Sequence, residues 1–231
     1  MTTATKMEIS KETLELLKNF ASINSNILVK PGNKIRTISN YKNVLAEAEV
    51  TETFDTEFGI WDLNKLLGTV SLFESPKFEF DEKKMVIEGE NGAKVVYFYS
   101  EPKLLTTVTK ELNMPDVVVE CNIGEGDFKE IQRAASVLQL PDLKISSEGD
   151  DIVMTVHDRK DPSTNSYSFS VGDNSEGCEF DFYFKVENMK MISGDYEVNI
   201  CENRVAQFCN KSIDVKYWVA MEPDSCYKGT S

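Results

Sequence analysis

The chain has 231 residues, 41% hydrophobic and 28% charged, the profile of a folded chain of one large or two modest domains rather than a disordered or fibrous one. Its 39 acidic and 25 basic residues give a net charge of −14, which argues against a polyanion partner unless the cations are gathered on one surface. Five cysteines without a CxxC pair and a single histidine, His157, argue against a zinc site and for reduced thiols, and no apolar run approaches the ~20 residues a membrane-spanning helix needs.

In chain order, the polar start MTTATK (1–6) lacks the apolar core of a signal peptide and is expected to be a flexible tail, with Met7 a second possible start. SKETLELLKNFASIN then has helical periodicity: Leu14, Leu17, Phe20 and Ala21 fall inward, while Lys11, Lys18 and Ser22 line up outside with Glu12 and Glu15 nearby. NILVK and VLAEAEV are strand-like. FDTEFGIWDLNKLLGTVSLF predicts a short strand entering a second helix, with Asp62 as its cap. Leu63, Leu66, Leu67 and Val70 face in there, and Lys65, Gly68 and Thr69 point out. KFEF and KMVIEGENGAKVVYFY return to strands, with a hairpin turn at GENG.

Residues 103–125 have few helix caps and are expected to be an extended interdomain linker. DFKEIQRAASVLQL opens a second series. Phe128, Ile131, Ala134, Ala135 and Leu138 share one helical face, Lys129, Gln132, Arg133 and Ser136 share the other, and Asp127 can cap the start. LKISSEGDDIVMTVHD predicts a hairpin turning at SEGDD, and SYSFSV a further strand. EFDFYFKVENMKM predicts a strand entering a helix, with Val186 and Met189 apolar and Lys185 and Lys190 flanking them. DYEVNICENRVAQFCNKSIDVKYWVAM closes in strands that turn at CENR.

The two series share one order of elements and matching ends, YFYSEP and YWVAMEP. The expected layout is α+β: a tail at 1–6, a domain at 7–102, a linker at 103–125 and a second domain at 126–231, each domain with two helices beside an antiparallel sheet. All four expected helices carry lysine or arginine on the outer side. Two readings of those cations stand side by side: solvated surface, or a face turned toward an anion.

Reaction chemistry finds no footing. His157, in alternating strand sequence beside Asp158, reads as a surface residue without triad partners. GEG at 124–126 lacks a following GK[ST] and is surrounded by carboxylates, so it reads as a turn into the helix. The acidic clusters Glu148–Asp151 and Glu179–Asp181 fall at a hairpin tip and on an alternating strand, where neighbouring carboxylates diverge, so neither is expected to bind metal. No catalytic residue, metal or cofactor is expected.

Five segments together, ISKETLELLKNFASINS, FGIWDLNKLLGTVSLF, KEIQRAASVLQL, VENMKMISGDYEV and YWVAMEPDS, resemble the DNA polymerase sliding clamps (processivity factors) of T-even-type bacteriophages. The resemblance runs from about Met7 to Asp224 and departs in the loops, the linker KLLTTVTKELNMP, the start MTTATK and the tail CYKGTS. It implies a DNA-clamp fold with two similar domains, in a closed ring of three subunits. Duplex DNA would pass through a helix-lined hole, encircled without sequence preference, with no enzymatic activity in the ring itself. A clamp-loader ATPase would open the ring, and the phage polymerase would attach by a C-terminal peptide in an apolar pocket. Late-transcription partners, a sigma factor and a co-activator, and residence in the cytoplasm of the infected bacterium follow from the same resemblance. It makes Lys11, Lys18, Lys65, Lys129, Arg133, Lys185 and Lys190 candidate DNA-facing residues, and Val118, Val219, Met221 and Pro223 candidates for the peptide pocket. The alternatives are a duplicated β-rich structural or virion protein and, less in keeping with the residues, a metal-dependent nuclease.

Overall fold

The first amphipathic segment forms α1 (Lys11–Ile23) in a computed structural model that describes residues 6–109, 114 and 116–230. Ser10 caps the helix, its Oγ accepting from the Thr13 N–H at 3.1 Å. The buried face is Thr13, Leu16, Leu17, Phe20 and Ala21, with Leu14 only half-buried. Thr13 takes an inward place because its hydroxyl donates to Glu52 at 2.6 Å, a carboxylate buried on β4 (Val44–Phe54). The Ser10 N–H donates to the same carboxylate. A buried acid thus ties the start of α1 to the strand beneath it.

Contacts cluster into two compact units, Met1–Glu111 and Leu112–Ser231. In the first, β2 (Ile27–Val29) pairs antiparallel with β5 (Phe58–Ile60), and β3 (Gly32–Ile38) pairs with β4. Helix α2 (Leu63–Val70) starts at Asp62, whose side chain accepts from the Lys65 N–H at 3.0 Å, and it packs beside α1. The strands β1 (Lys6–Glu8), β6 (Lys77–Phe80), β7 (Lys84–Glu88) and β8 (Lys94–Phe98) make an antiparallel sheet in the order β1-β6-β7-β8. Phe54, Phe58 and Phe80 meet in this unit's core with ring centroids 5.1–5.8 Å apart. A 3-10 turn follows at Pro102–Leu104. Of the tail expected over 1–6, residues 1–5 lie outside the described residues. Lys6 belongs to β1, opposite Glu79 and 2.8 Å from Glu88.

The second unit begins with β9 (Val117–Ile123), antiparallel to β14 (Tyr196–Cys201). The stretch expected as linker therefore ends in a ladder strand, whose Val119, Cys121 and Ile123 are buried; residues 110–113 and 115 of it lie outside the described residues. Helix α3 (Glu125–Leu138) packs on β11 (Asp151–His157) and β12 (Tyr167–Asp173). Its cap is Gly124 rather than Asp127, which sits one turn in and accepts from the Gly124 N–H at 3.3 Å. Phe128, Ile131 and Ala135 are buried, while Ala134 and Leu138 are half-buried. With β10 (Asp142–Glu148), β13 (Cys178–Lys185) and β17 (Cys226–Thr230), the sheet order is β12-β11-β10-β13-β17. Beside β9 and β14 lie β15 (Val205–Asn210) and β16 (Val215–Ala220), in the order β9-β14-β15-β16.

One expected helix is not an α-helix. After β13 the chain makes a single 3-10 turn, Val186–Asn188, before β14. Asn188 and Met189 are buried there, and the Met189 carbonyl accepts from the Gln132 side chain of α3 at 2.9 Å. A carbonyl bonded sideways to α3 does not extend a helix of its own, and the β-branched Val186 and short polar Asn188 have little intrinsic drive to do so. The two units are alike in plan and unequal in helix content.

Candidate functional site

The candidate cations fall into two local groups and one exception. In the first unit, Lys11 and Lys18 are exposed on α1 and Lys65 on the adjacent α2. Lys18 lies 3.8 Å from Glu15, a pair largely in solvent that holds the ammonium only weakly. In the second unit, Lys129 and Arg133 are exposed on α3, and Lys190 is exposed just beyond the 3-10 turn that Gln132 ties to that helix. Lys129 pairs with Glu125 one turn earlier, and this contact with the Ser193 hydroxyl pulls the Glu125 carboxyl below its ordinary range.

The exception is Lys185. It ends β13 with its ammonium on Asp142, which is 1% exposed, and with Glu222 at 3.9 Å. Asp142 also accepts from the Arg159 N–H at 3.2 Å. Burial pushes the Asp142 carboxyl up, but the Lys185 and Arg159 contacts outweigh it and its pKa is lowered. Lys185 therefore holds the buried Asp142 carboxylate inside the second unit while its own side chain stays 30% exposed. The remaining candidates are not set in a strongly basic field. The three α-helices among the described residues hold five cations (Lys11, Lys18, Lys65, Lys129, Arg133) and five carboxylates (Glu12, Glu15, Glu125, Asp127, Glu130), so they sum to zero in a chain of −14.

The four residues chosen for a peptide pocket do not converge. Val219 is a fully buried core residue of β16 and Met221 is buried just after it, whereas Pro223 is exposed. Val118 is on β9, three strand positions from β16, a separation of roughly 14 Å at the usual spacing. Val118 instead lines a different cleft of about 290 Å³, with Ile152, Asn174 and Phe180 among its walls.

Sequence reasoning passed over two features. Among the described residues strand β8 is one of the two edges of its sheet and shows Val96 and Phe98 to solvent, Phe98 69% exposed. The segment KVVYF read as a strand, without a sign of which residues it exposes. The second is a basic cleft lined by Lys30, Lys34 and Arg36, the last two on one face of β3. The spacing K-x-R in KPGNKIR carried it.

His157, expected at the surface, is half-buried, its Nε2 enclosed without a hydrogen-bond partner among the described residues and its ring 6.1 Å from that of Tyr183. Burial lowers its pKa. Among the described residues no cluster of His, Cys, Asp and Glu is placed to hold a metal ion, and no helix is long and apolar enough to cross a membrane.

Both halves of the chain match described families. Residues 10–103 match "DNA polymerase processivity factor" and residues 120–223 match "gp45 sliding clamp, C terminal". The chain is 29% identical over 221 residues to the sliding clamp of Vibrio phage KVP40, covering 94% of this chain and 99% of that one. It is 28% identical over 228 residues to the sliding clamp of Enterobacteria phage T4, covering 96% and 99%. Among solved structures, A. fulgidus PCNA with the C-terminal region of FEN-1 bound aligns with a TM-score of 0.69 at 15% identity, covering 96% of this chain and 99% of that one. The H. pylori beta clamp bound to a DNA ligase peptide aligns with a TM-score of 0.69 at 13% identity, covering 94% of this chain and 65% of that one. At these identities the structures show the fold alone, a DNA-clamp fold of two similar domains.

Proposed function

Because the chain belongs to the phage sliding-clamp family of DNA polymerase processivity factors, matched in both halves, we propose that it closes into a ring of three copies around duplex DNA and tethers the replicative polymerase. The observation that carries this reading is the exposed Lys or Arg on each of the three α-helices among the described residues of a strongly acidic chain. A sliding ring needs loose, sequence-independent attraction. Scattered phosphate contacts supply it, and bidentate base readers would arrest sliding. Carboxylates interspersed on the same helices keep that attraction weak, and acid elsewhere discourages DNA from binding on other surfaces.

Ring closure calls for a heterologous contact that ends after three copies. The free edges of β8 and β12 are suited to it, since an unpaired strand with exposed Val96 and Phe98 is a template for another strand. Retention by topology leaves no reaction for the ring to catalyse. A clamp-loader ATPase opens it, a partner peptide links it to the polymerase, and late-transcription factors share the loaded ring, all in the cytoplasm of the infected host. The competing reading, a β-rich structural protein that polymerises, draws on the same two edges but has no use for the helix cations.

The test is the double substitution Lys129→Glu with Arg133→Glu. Oligomeric mass is expected to be unchanged while the length of product per polymerase binding event falls severalfold on primed DNA. Unchanged product length would remove that helix face from the DNA path.

A further inference from the structure

Helix α3 begins without a side-chain cap of its own, because Gly124 has none to offer. The need is met from elsewhere: Asp195, just before β14, accepts from the Glu125 N–H at 2.8 Å, and Asp127 accepts from the Gly124 N–H. The positive end of α3, a ready place for a phosphate, is therefore already taken by two carboxylates. Glu125 adds a third. Its Oε1 accepts from the Ser193 hydroxyl at 2.7 Å and from Lys129 one turn along, so one oxygen joins the 189–195 loop to the helix cation. Lys129 first, and then Ser193, hold this carboxyl below its usual range, so it is charged at neutral pH. The loop itself is fixed. Gln132 donates to the Met189 carbonyl at its start, and Gly194, at φ 149°, runs so close to its surroundings that a Cβ would collide with the Asn210 side chain. An exposed ion pair is loose because two side chains must be ordered to keep it; here Ser193 has ordered one already. Arg133, one turn beyond Lys129, is exposed and makes no ion pair among the described residues. The same helix carries one screened cation and one open one.

We propose that Glu125 sets how freely the ring travels: it occupies, on Lys129, the place that a DNA phosphate would take, so the cation steers the duplex without seizing it. This rests on the encirclement reading and deepens it, because the effect is assigned to one pinned carboxylate and not to a general scatter of acid. A phosphate that takes Lys129 must displace Glu125, which Ser193 keeps within a turn of the contact, so little attraction is gained and few counterions are released. Without that carboxylate every copy in the ring gains a full phosphate contact, and the drag is greatest where salt screens least.

The test loads fluorescent rings with a clamp-loader ATPase onto linear duplex blocked at both ends and measures their diffusion along it. Glu125→Gln keeps an oxygen for the Ser193 hydroxyl and loses only the charge, so oligomeric mass and unfolding midpoint should not move. Its rings are expected to diffuse at least about threefold more slowly at roughly 50 mM salt and to match the unaltered rings by roughly 200 mM. Glu12→Gln removes the same charge from α1, where Glu12 is exposed and in no ion pair among the described residues, and should slow the rings far less. Adding Lys129→Gln to Glu125→Gln should restore the original mobility, which a merely structural role for Glu125 would not allow. Equal diffusion of Glu125→Gln and unaltered rings, equal slowing by Glu12→Gln, or no recovery with Lys129→Gln would each overturn the proposal. Unaltered rings that are never retained between blocked ends would sink encirclement and this inference with it. Retained rings indifferent to Glu125 would sink the inference alone.

Discussion

Single residues decide how the candidate surface is held. Glu52 accepts from the Ser10 N–H and the Thr13 hydroxyl, and although burial raises its pKa, these bonds bring the net value below normal. Glu52→Ala leaves two donors unsatisfied at the base of α1 and is expected to cost about 1–3 kcal/mol in urea unfolding, with Glu52→Gln milder. An unchanged midpoint in Glu52→Ala would show that the bonds contribute nothing net. Asp142 gives a pH signature. Its folded pKa is depressed, so its contribution is complete above the ordinary carboxylate range and is lost as pH falls through the lowered folded value. Asp142→Asn should therefore lower stability at neutral pH and flatten the loss between roughly pH 5 and pH 2. Parallel acid-unfolding curves for the two proteins would contradict this. The sequence could not place Lys185, because its partner Asp142 is brought to it only by the β10–β13 register, with residues 142 and 185 directly opposed. Lys129 was readable because its surroundings lie on its own helix.

At the scale of elements, periodicity read well where a local cap and an apolar stripe agreed. Leu17, Phe20 and Ala21 of α1 and Leu63, Leu66 and Val70 of α2 lie inward as the spacing requires. It failed at Val186–Asn188, where the chain makes a single 3-10 turn and the Met189 carbonyl just beyond it accepts from the Gln132 side chain. It also failed at Val117–Ile123, because an extended stretch becomes a strand only when a partner is available, and β14 lies far along the chain. Edge strand β8 carries the element-scale prediction. Phe98→Asp puts a charge on an exposed strand face without touching the core, since Phe98 is already 69% exposed. Light scattering on the unaltered chain should give about 78 kDa, three copies of a 26.1 kDa chain, and the variant should shift toward the single-chain mass. A variant that keeps the full mass would remove β8 from the contact.

For the whole molecule, duplication and the ordered set of resembling segments made fold and family legible, because both depend on the sequence of elements along the chain and not on exact contacts. The peptide pocket was illegible for the opposite reason. Val219 and Val118 look alike as apolar strand residues, yet one is core and the other sits three strands away. The acidic total, at first an objection to DNA, is compatible with encirclement once attraction is confined to a few helix cations and retention is left to closure. That claim is tested most directly by loading the protein with a clamp-loader ATPase onto nicked circular DNA, washing in high salt, and linearising half the sample. A ring held by topology stays on the circles and is lost from the linear molecules, whereas equal retention on both, or release of both by salt, would contradict encirclement.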